Sequence, residues 1–247
     1  MNSKLLLLAD EAVAQAALDA GISGVYAYPG TPSTEITEYI QSSDKAQREN
    51  IHRNWSANEK TAMEAAMGMA FAGKRALVCM KHVGVNVAAD PLMNSSISGV
   101  VGGLVFVAAD DPSMHSSQNE QDSRFYGRFA MIPVLEPSSQ QEAYDMTYYG
   151  FELSEKLGFP VMLRITTRLA HSRSGVVRRE ERAQNKLRFS DDPRQFVLLP
   201  VNARQRYKKL LAAQQDMQAL SEALSFNAFF PGKDLSKGVV ACGIAYN

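Results

Sequence analysis

"SANEKTAMEAAMGMAFAG" (residues 56–73) runs straight into "KRALVCMKH" (residues 74–82), and this junction decides the fold class. After Asn58-Glu59-Lys60 the first stretch carries a single charge, Glu64, among Ala, Met, Gly, Phe and Thr, so it reads as a helix buried along most of its length. The second is a short apolar run bounded by charges, the pattern of a strand covered on both faces. The alternation extends in both directions. Upstream, "DEAVAQAALDAG" reads as a helix ending near Gly21, "GVYAYPG" as a strand entering a turn, "PSTEITEYIQ" as a helix and "NIHRNWS" as a strand. Downstream, "VNVAADPLMNSSISG" is helix-like but interrupted at Pro91, and "GGLVFVAADDP" is a strand opening into a polar loop. "QNEQDSRFYGRFA" reads as a helix, "IPVLEP" as a strand, "SSQQEAYDMTYYGFELSEKLG" as a long helix and "FPVMLRITTRLAH" as the closing strand. Short apolar strands separated by helices predict an α/β fold with a doubly wound, mostly parallel sheet.

The 247 residues suit one large α/β domain, or one domain and the start of another. Twenty-six basic and 26 acidic residues cancel, so nothing points to nucleic acid or an anionic membrane surface. Two cysteines, Cys79 and Cys242, lie in apolar strand-like runs and read as buried free thiols. With these and four histidines, no metal-ligand cluster and no set of four thiolates for an iron–sulfur centre is expected. "KLLLL" at the start is too short for a signal peptide or membrane span, and a cytoplasmic setting is the expectation. Residues 1–172 read as one domain. Residues 173–202 are charged and unpatterned, a linker or extended arm, and residues 203–247 read as a helix followed by "GVVACGIAYN", the first strand of an incomplete further domain.

Open parallel sheets bind ligands beyond the C-terminal ends of their strands, which directs attention to four loops. In "YPGTPSTE" Gly30 permits a tight turn, and Thr31 and Pro32 suit the N-cap and N1 positions of a helix whose free N–H groups would attract a carboxylate. Ser56-Ala57-Asn58-Glu59 fits a capping box, in which Glu59 would reach back to the Ser56 N–H. Against that simple reading stands the company of Glu59: Trp55, Met63 and packed alanines disfavour a charged carboxylate, as a proton-transfer group requires. Ala62, Ala65, Ala66, Gly68 and Ala70 imply close approach by another helix, within the domain or across a subunit contact. Lys81 and His82 end a strand, where they suit an anionic substrate or simple exposure. The loop "DDPSMHSSQNEQD" places Ser, His115 and Asp within a few residues, but without a G-x-S-x-G elbow a hydrolase triad has no support. The glycine fingerprints of nucleotide-binding folds are also absent.

Taken together, "YPGTPSTEI" (28–36), "WSANEKTAMEAAMGMAFAGKRALVCMKHVGVNVAADPLM" (55–93), "VFVAADDPSMHSSQNEQDSR" (105–124) and "VLEPSSQQEAYDMTYYGFELSEKLGFPVMLR" (134–164) resemble the N-terminal pyrimidine-binding domain of 2-oxoacid:ferredoxin oxidoreductases. The match holds in register over about residues 5–172. The resemblance implies the thiamine diphosphate-binding fold, with Glu59 bonded to ring nitrogen N1′ of the aminopyrimidine and favouring the tautomer that takes the proton from thiazolium C2. It implies Thr31 near the substrate carboxylate and the loop from Asp110 to Gln121 at the border of the site; Pro29 and Gly30 are the further candidates beside the cofactor, and Lys81 and His115 those toward the substrate. The implied reaction is oxidative decarboxylation of a 2-oxoacid, an aryl pyruvate such as indolepyruvate, to an acyl-CoA with ferredoxin as electron acceptor. Pyruvate-specific relatives carry an arginine in the loop that here reads "ADDPSMH", against a pyruvate preference. The diphosphate-binding domain with its Mg2+ ligands, the iron–sulfur clusters and the CoA site would lie beyond this chain, in a missing segment or a partner subunit of a homo- or hetero-oligomer. The alternative is a binding or assembly module that keeps the fold without catalysis.

Overall fold

The computed structural model describes residues 4–234 and 236–247. β1 (Lys4–Leu8) leads into α1 (Ala9–Asp19), then β2 (Gly24–Ala27), α2 (Thr34–Gln41), α3 (Asp44–Arg48), α4 (Glu59–Phe71) and β3 (Ala76–Lys81). α5 (His82–Val87), α6 (Ala89–Ser98), β4 (Leu104–Asp110), α7 (Arg124–Ala130), β5 (Val134–Leu135) and α8 (Gln140–Leu157) follow. β6 (Val161–Thr166), α9 (Thr167–Ala170), β7 (Arg173–Val177) and α10 (Pro200–Ala223) complete the order, with a last 3-10 turn at Gly243–Tyr246.

Five strands pair in the order β2-β3-β4-β6-β5, all parallel. β1 and β7 form a separate antiparallel pair. The side-chain period of two divides the strands between two cores. Leu77, Cys79, Val105 and Val107 face α1, α2 and α8, where Ile36, Ile40, Tyr144 and Phe151 are buried. Val78, Met80, Phe106 and Ala108 face the opposite layer, with Met63 and Met67 of α4 and Leu92 of α6. Burying each large side chain such as Phe106 contributes roughly 1.5–3 kcal/mol, and it can do so only because both faces are covered. This is the doubly wound sheet that the alternation predicts.

Residues 178–188 are an extended arm fastened to the domain. Arg178 Nε donates to Asp19 Oδ2 (2.9 Å), and that buried carboxylate also accepts from Tyr144 Oη (2.6 Å). Asn185 Nδ2 donates to Glu155 Oε1 (2.7 Å), and the Arg188 N–H to the Ala72 carbonyl (3.0 Å). The arm passes so close that a Cβ on Gly21 or Gly73 would lie 2.6 Å from the carbonyl oxygen of Ala183 or Arg188, and both glycines hold positive φ.

Several local expectations change. "NIHRNWS" makes only single parallel bridges, His52 to Gly24 and Trp55 to Ala27, so it is extended chain at the sheet edge. The helix and strand expected from "QNEQDSRFYGRFA" and "IPVLEP" shorten to α7 and β5. The strand expected at 238–247 does not form: a strand needs an edge to pair with, and Gly243–Tyr246 makes a 3-10 turn instead. Cys79 is buried as expected, whereas Cys242 is exposed because its segment lies on the surface. Among the described residues no helix is long and apolar enough to cross a membrane.

Candidate functional site

The C-terminal ends of β2, β3 and β4 bring three of the singled-out loops into contact. A Cβ on Gly30 would meet Lys81 Cδ at 3.2 Å, so the glycine lets the lysine stem pass beneath the turn. Lys81 Nζ donates to the Ser116 carbonyl (3.0 Å), and Ser116 Oγ to the Thr31 carbonyl (3.4 Å). His82 Nε2 lies 2.9 Å from the Asn119 carbonyl, fixing Nε2 as the protonated nitrogen in the neutral ring. The loop after β4 is therefore held against the turn after β2 and the end of β3.

Asp110 and Asp111 anchor that loop from below. Asp110 accepts from the Ser123 N–H (3.0 Å) and from Arg164 Nε (2.8 Å), and Arg164 in turn reaches Glu136. Asp111 accepts from Ser117 Oγ (2.6 Å), the Ser116 N–H (2.8 Å) and Thr167 Oγ1 (2.7 Å). Burial alone would push its carboxyl up, but these donors prevail and hold it well below the usual carboxylate range.

Glu59 sits beside this assembly as the first residue of α4. The capping box is built by other residues: the Thr61 N–H donates to Asn58 Oδ1 (2.9 Å) and the Asn58 N–H to Thr61 Oγ1 (3.3 Å). The Ser56 N–H is committed to the Ala27 carbonyl (2.8 Å) by the parallel bridge at Trp55. The expected Ser56–Glu59 box is thus corrected, for the reason that β2 claims the donor first. The freed Glu59 side chain is half-buried and lies over Gly84 of α5. A Cβ there would fall 2.5 Å from Glu59 Oε1 and 2.7 Å from Cγ. Among the described residues neither carboxylate oxygen enters a hydrogen bond or ion pair; Lys60, the adjacent cation, turns to Asp90 and Glu64. An acceptor pair held on a tight backbone platform, without a partner among the described residues, is free to accept from water or from a ligand.

The other sequence candidates distribute unevenly. Thr31 and Lys81 join the loop assembly with Gly30, and Pro29 is exposed at its edge. Thr31 is not the N-cap of α2, and the helix-terminus anion site expected there shifts. Ser33 occupies the cap, the helix starts at Thr34, and Thr34 Oγ1 accepts from the Gly30 N–H (2.9 Å). His115 is exposed on the loop, and the serines that follow it bond Asp111, so no triad forms. Of the alanine-rich helix, Ala62, Ala66 and Ala70 are buried while Ala65 and Gly68 face outward with nothing near a Cβ at Gly68. Close approach on that face is not supplied within the domain. The sequence places His82 with Lys81 toward an anionic substrate or solvent, but the structure buries it against the Asn119 carbonyl; Gly84 was passed over, although a glycine two residues after a strand-end His was an available signal. A cavity of about 1030 Å3 lies elsewhere, lined by Leu135, Met146, Leu153, Leu224 and Phe226, and it includes none of these residues.

Residues 15–219 match the family model described as pyruvate flavodoxin/ferredoxin oxidoreductase, thiamine diphosphate-binding. Indolepyruvate oxidoreductase subunit IorA of Archaeoglobus fulgidus is 46% identical over 250 residues, covering 99% of this chain and 40% of the relative. The subunit of the same name from Methanothermobacter thermautotrophicus is 44% identical over 249 residues, covering 100% of this chain and 40% of its own length. The chain thus spans about two fifths of the curated relatives it matches. Among solved structures, 2-oxoglutarate:ferredoxin oxidoreductase from Magnetococcus marinus superposes with a TM-score of 0.68 over 88% of this chain and 46% of that one, at 18% identity. The doubly wound sheet is therefore the thiamine diphosphate pyrimidine-binding fold, and the chain belongs to the thiamine diphosphate-binding family of pyruvate flavodoxin/ferredoxin oxidoreductases.

Proposed function

We propose that this chain forms the aminopyrimidine-binding side of a thiamine diphosphate-dependent 2-oxoacid:ferredoxin oxidoreductase, with Glu59 as the residue that bonds ring nitrogen N1′. The observation that carries the reading is the unpartnered Glu59 carboxylate resting on Gly84 at the rim of the parallel sheet. The residues fit the group: ring nitrogen N1′ of an aminopyrimidine needs a carboxyl to bond it, and Gly84 leaves that carboxyl room. When bound, thiamine diphosphate supplies the nucleophilic carbon that adds to a 2-oxoacid carbonyl and holds the electrons left by departing CO2. Glu59 holds a proton at N1′ and returns it, general acid–base work that typically contributes about 10²–10⁴-fold. Pro29 and Gly30 border the ring. Thr31 and Lys81 offer a hydroxyl and a cation to the substrate carboxylate, and the loop carrying His115 closes that side. The relatives are named for indolepyruvate, which supports an aryl pyruvate as substrate, and the family description names flavodoxin/ferredoxin, which supports ferredoxin as acceptor; acyl-CoA as product completes the reading. The Mg2+-bearing diphosphate domain, iron–sulfur clusters and CoA site belong to the rest of the assembly.

The outward face of α4 at Ala65 and Gly68 supports a second reading, in which the same fold serves assembly alone. Titration calorimetry of thiamine diphosphate against the assembled complex separates the two. Glu59-dependent binding and decarboxylation support the enzyme; a complex that assembles and turns over equally well with Glu59→Ala removes it.

A further inference from the structure

Away from the Glu59 rim, three elements distant in sequence converge on one point. Asp10 opens α1, Glu35 lies in the first turn of α2, and His171 follows α9; one ligand atom from each lies within 4.8 Å of the other two. Asp10 is fully buried, and neither of its oxygens meets a donor among the described residues. Glu35 Oε2 is likewise buried without a partner, while its Oε1 lies 3.6 Å from His171 Nε2. The nearby cation does not serve the cluster: Arg173 Nη2 turns to Glu11 (3.6 Å), which also accepts from the Leu8 N–H (2.7 Å). A carboxylate cut off from both water and donors is destabilising by several kcal/mol unless something positive compensates it.

We propose that Asp10, Glu35 and His171 form a site for a divalent cation of the zinc class. Two carboxylates and a neutral imidazole balance a charge of +2 and supply the oxygen and nitrogen ligands such a cation prefers. Bonds of about 2.0–2.1 Å around a tetrahedral ion put its ligands roughly 3.3 Å apart, near the 3.6 Å between Nε2 and Oε1. The side chains of His171 and Glu35 are 38% and 35% exposed, which gives an entry path and room for a water as fourth ligand. The ion would tie α1, α2 and the end of α9 together. Because Glu35 is four residues beyond Thr31, it would also fix the base of the turn that carries Thr31. The competing arrangement is a proton between the two carboxyls, since burial and the charge of Glu35 push Asp10 well above the usual carboxylate range when no cation is present.

Equilibrium dialysis of the chelator-treated full chain against zinc chloride, with metal analysis and thermal melts, decides between them. One zinc per chain is expected, with a rise in Tm. Asp10→Asn and the half-exposed His171→Ala should each weaken uptake at least about tenfold and abolish that rise. Absence of saturable uptake, or uptake unchanged in both variants, overturns the site. So does a chain stabilised by Asp10→Asn without zinc and indifferent to His171→Ala, the signature of a shared proton.

Discussion

Two carboxylates stand at the same rim of the sheet in opposite states. Asp111, just after β4, accepts hydrogen bonds from three residues, Ser116, Ser117 and Thr167. Glu59, at the head of α4, receives none from the described residues and rests against Gly84. On the proposed reading, the difference separates a group that holds structure from one left open to a ligand. Acceptors committed to internal donors tie a loop down, whereas acceptors left open in a fixed place are available for chemistry. The largest effect should therefore come from Glu59. In the assembled enzyme Glu59→Gln should lower decarboxylation by about 10²–10⁴-fold while leaving the melting temperature within about one or two degrees of wild type. Turnover near wild type in a stopped assay of CO2 release would erase the contrast. Next in size is Gly84→Ala. The new methyl group would fall 2.5 Å from Glu59 Oε1 and 2.7 Å from its Cγ, so the whole side chain must leave its present position. A loss of roughly 10–100-fold in activity is expected, since small misplacements of a reacting group act on that scale. Unaltered kinetics would mean that the carboxylate does not work from this platform.

The layers of the fold were legible because burial on both faces leaves a direct record in a sequence: runs such as "ALVCM" (residues 76–80) contain no polar position to tolerate water. The entrance to α4 was less legible. Ser-x-x-Glu is the right spacing for a capping box, but whether Ser56 has a donor to give depends on its pairing with Ala27, 29 residues earlier. The start of α2 shifted for a similar reason: Ser33 and Thr34 close the turn back onto Gly30, and Thr31 is left in the loop. "GVVACGIAYN" shows the opposite error, since apolar β-branched residues signal a strand only where an edge is present to receive it. The arm at 178–188 looked unpatterned because its partners, Asp19, Glu155 and the Gly73 turn, are set by the finished surface. The meeting of Asp10, Glu35 and His171 was beyond reach for the same cause: 161 positions separate the first from the last, and no local period connects them.

Asp111 offers the smaller tests, read through stability. Asp111→Asn keeps the shape but places an amide where an anion accepted three donors, and should destabilise by about 1–3 kcal/mol. The sign of its pH dependence follows from the depressed carboxyl. A group lowered in the folded state stabilises fully above its unfolded value, near 3.9, and loses that contribution as pH falls through the folded value. The gap between wild type and Asp111→Asn in urea melts should stay constant from neutral pH down to about 4, then narrow in stronger acid. A gap that closes between pH 7 and 5 would show that the carboxylate is not held by these donors.

Ser117→Ala is the gentlest of the series and isolates one bond. It removes the 2.6 Å donor to Asp111 Oδ2 but leaves the Ser116 N–H on that same oxygen, so the anion stays partly satisfied. A cost of about 0.5–1.5 kcal/mol is expected, below that of Asp111→Asn, because no buried acceptor is orphaned. The double variant tests the argument: once Asp111 is an amide, Ser117→Ala should add much less than it does alone, since both changes act on one interaction. Full additivity in urea melts would mean that Ser117 holds the loop by some other contact, and that the satisfied carboxylate is not what distinguishes this side of the rim from Glu59.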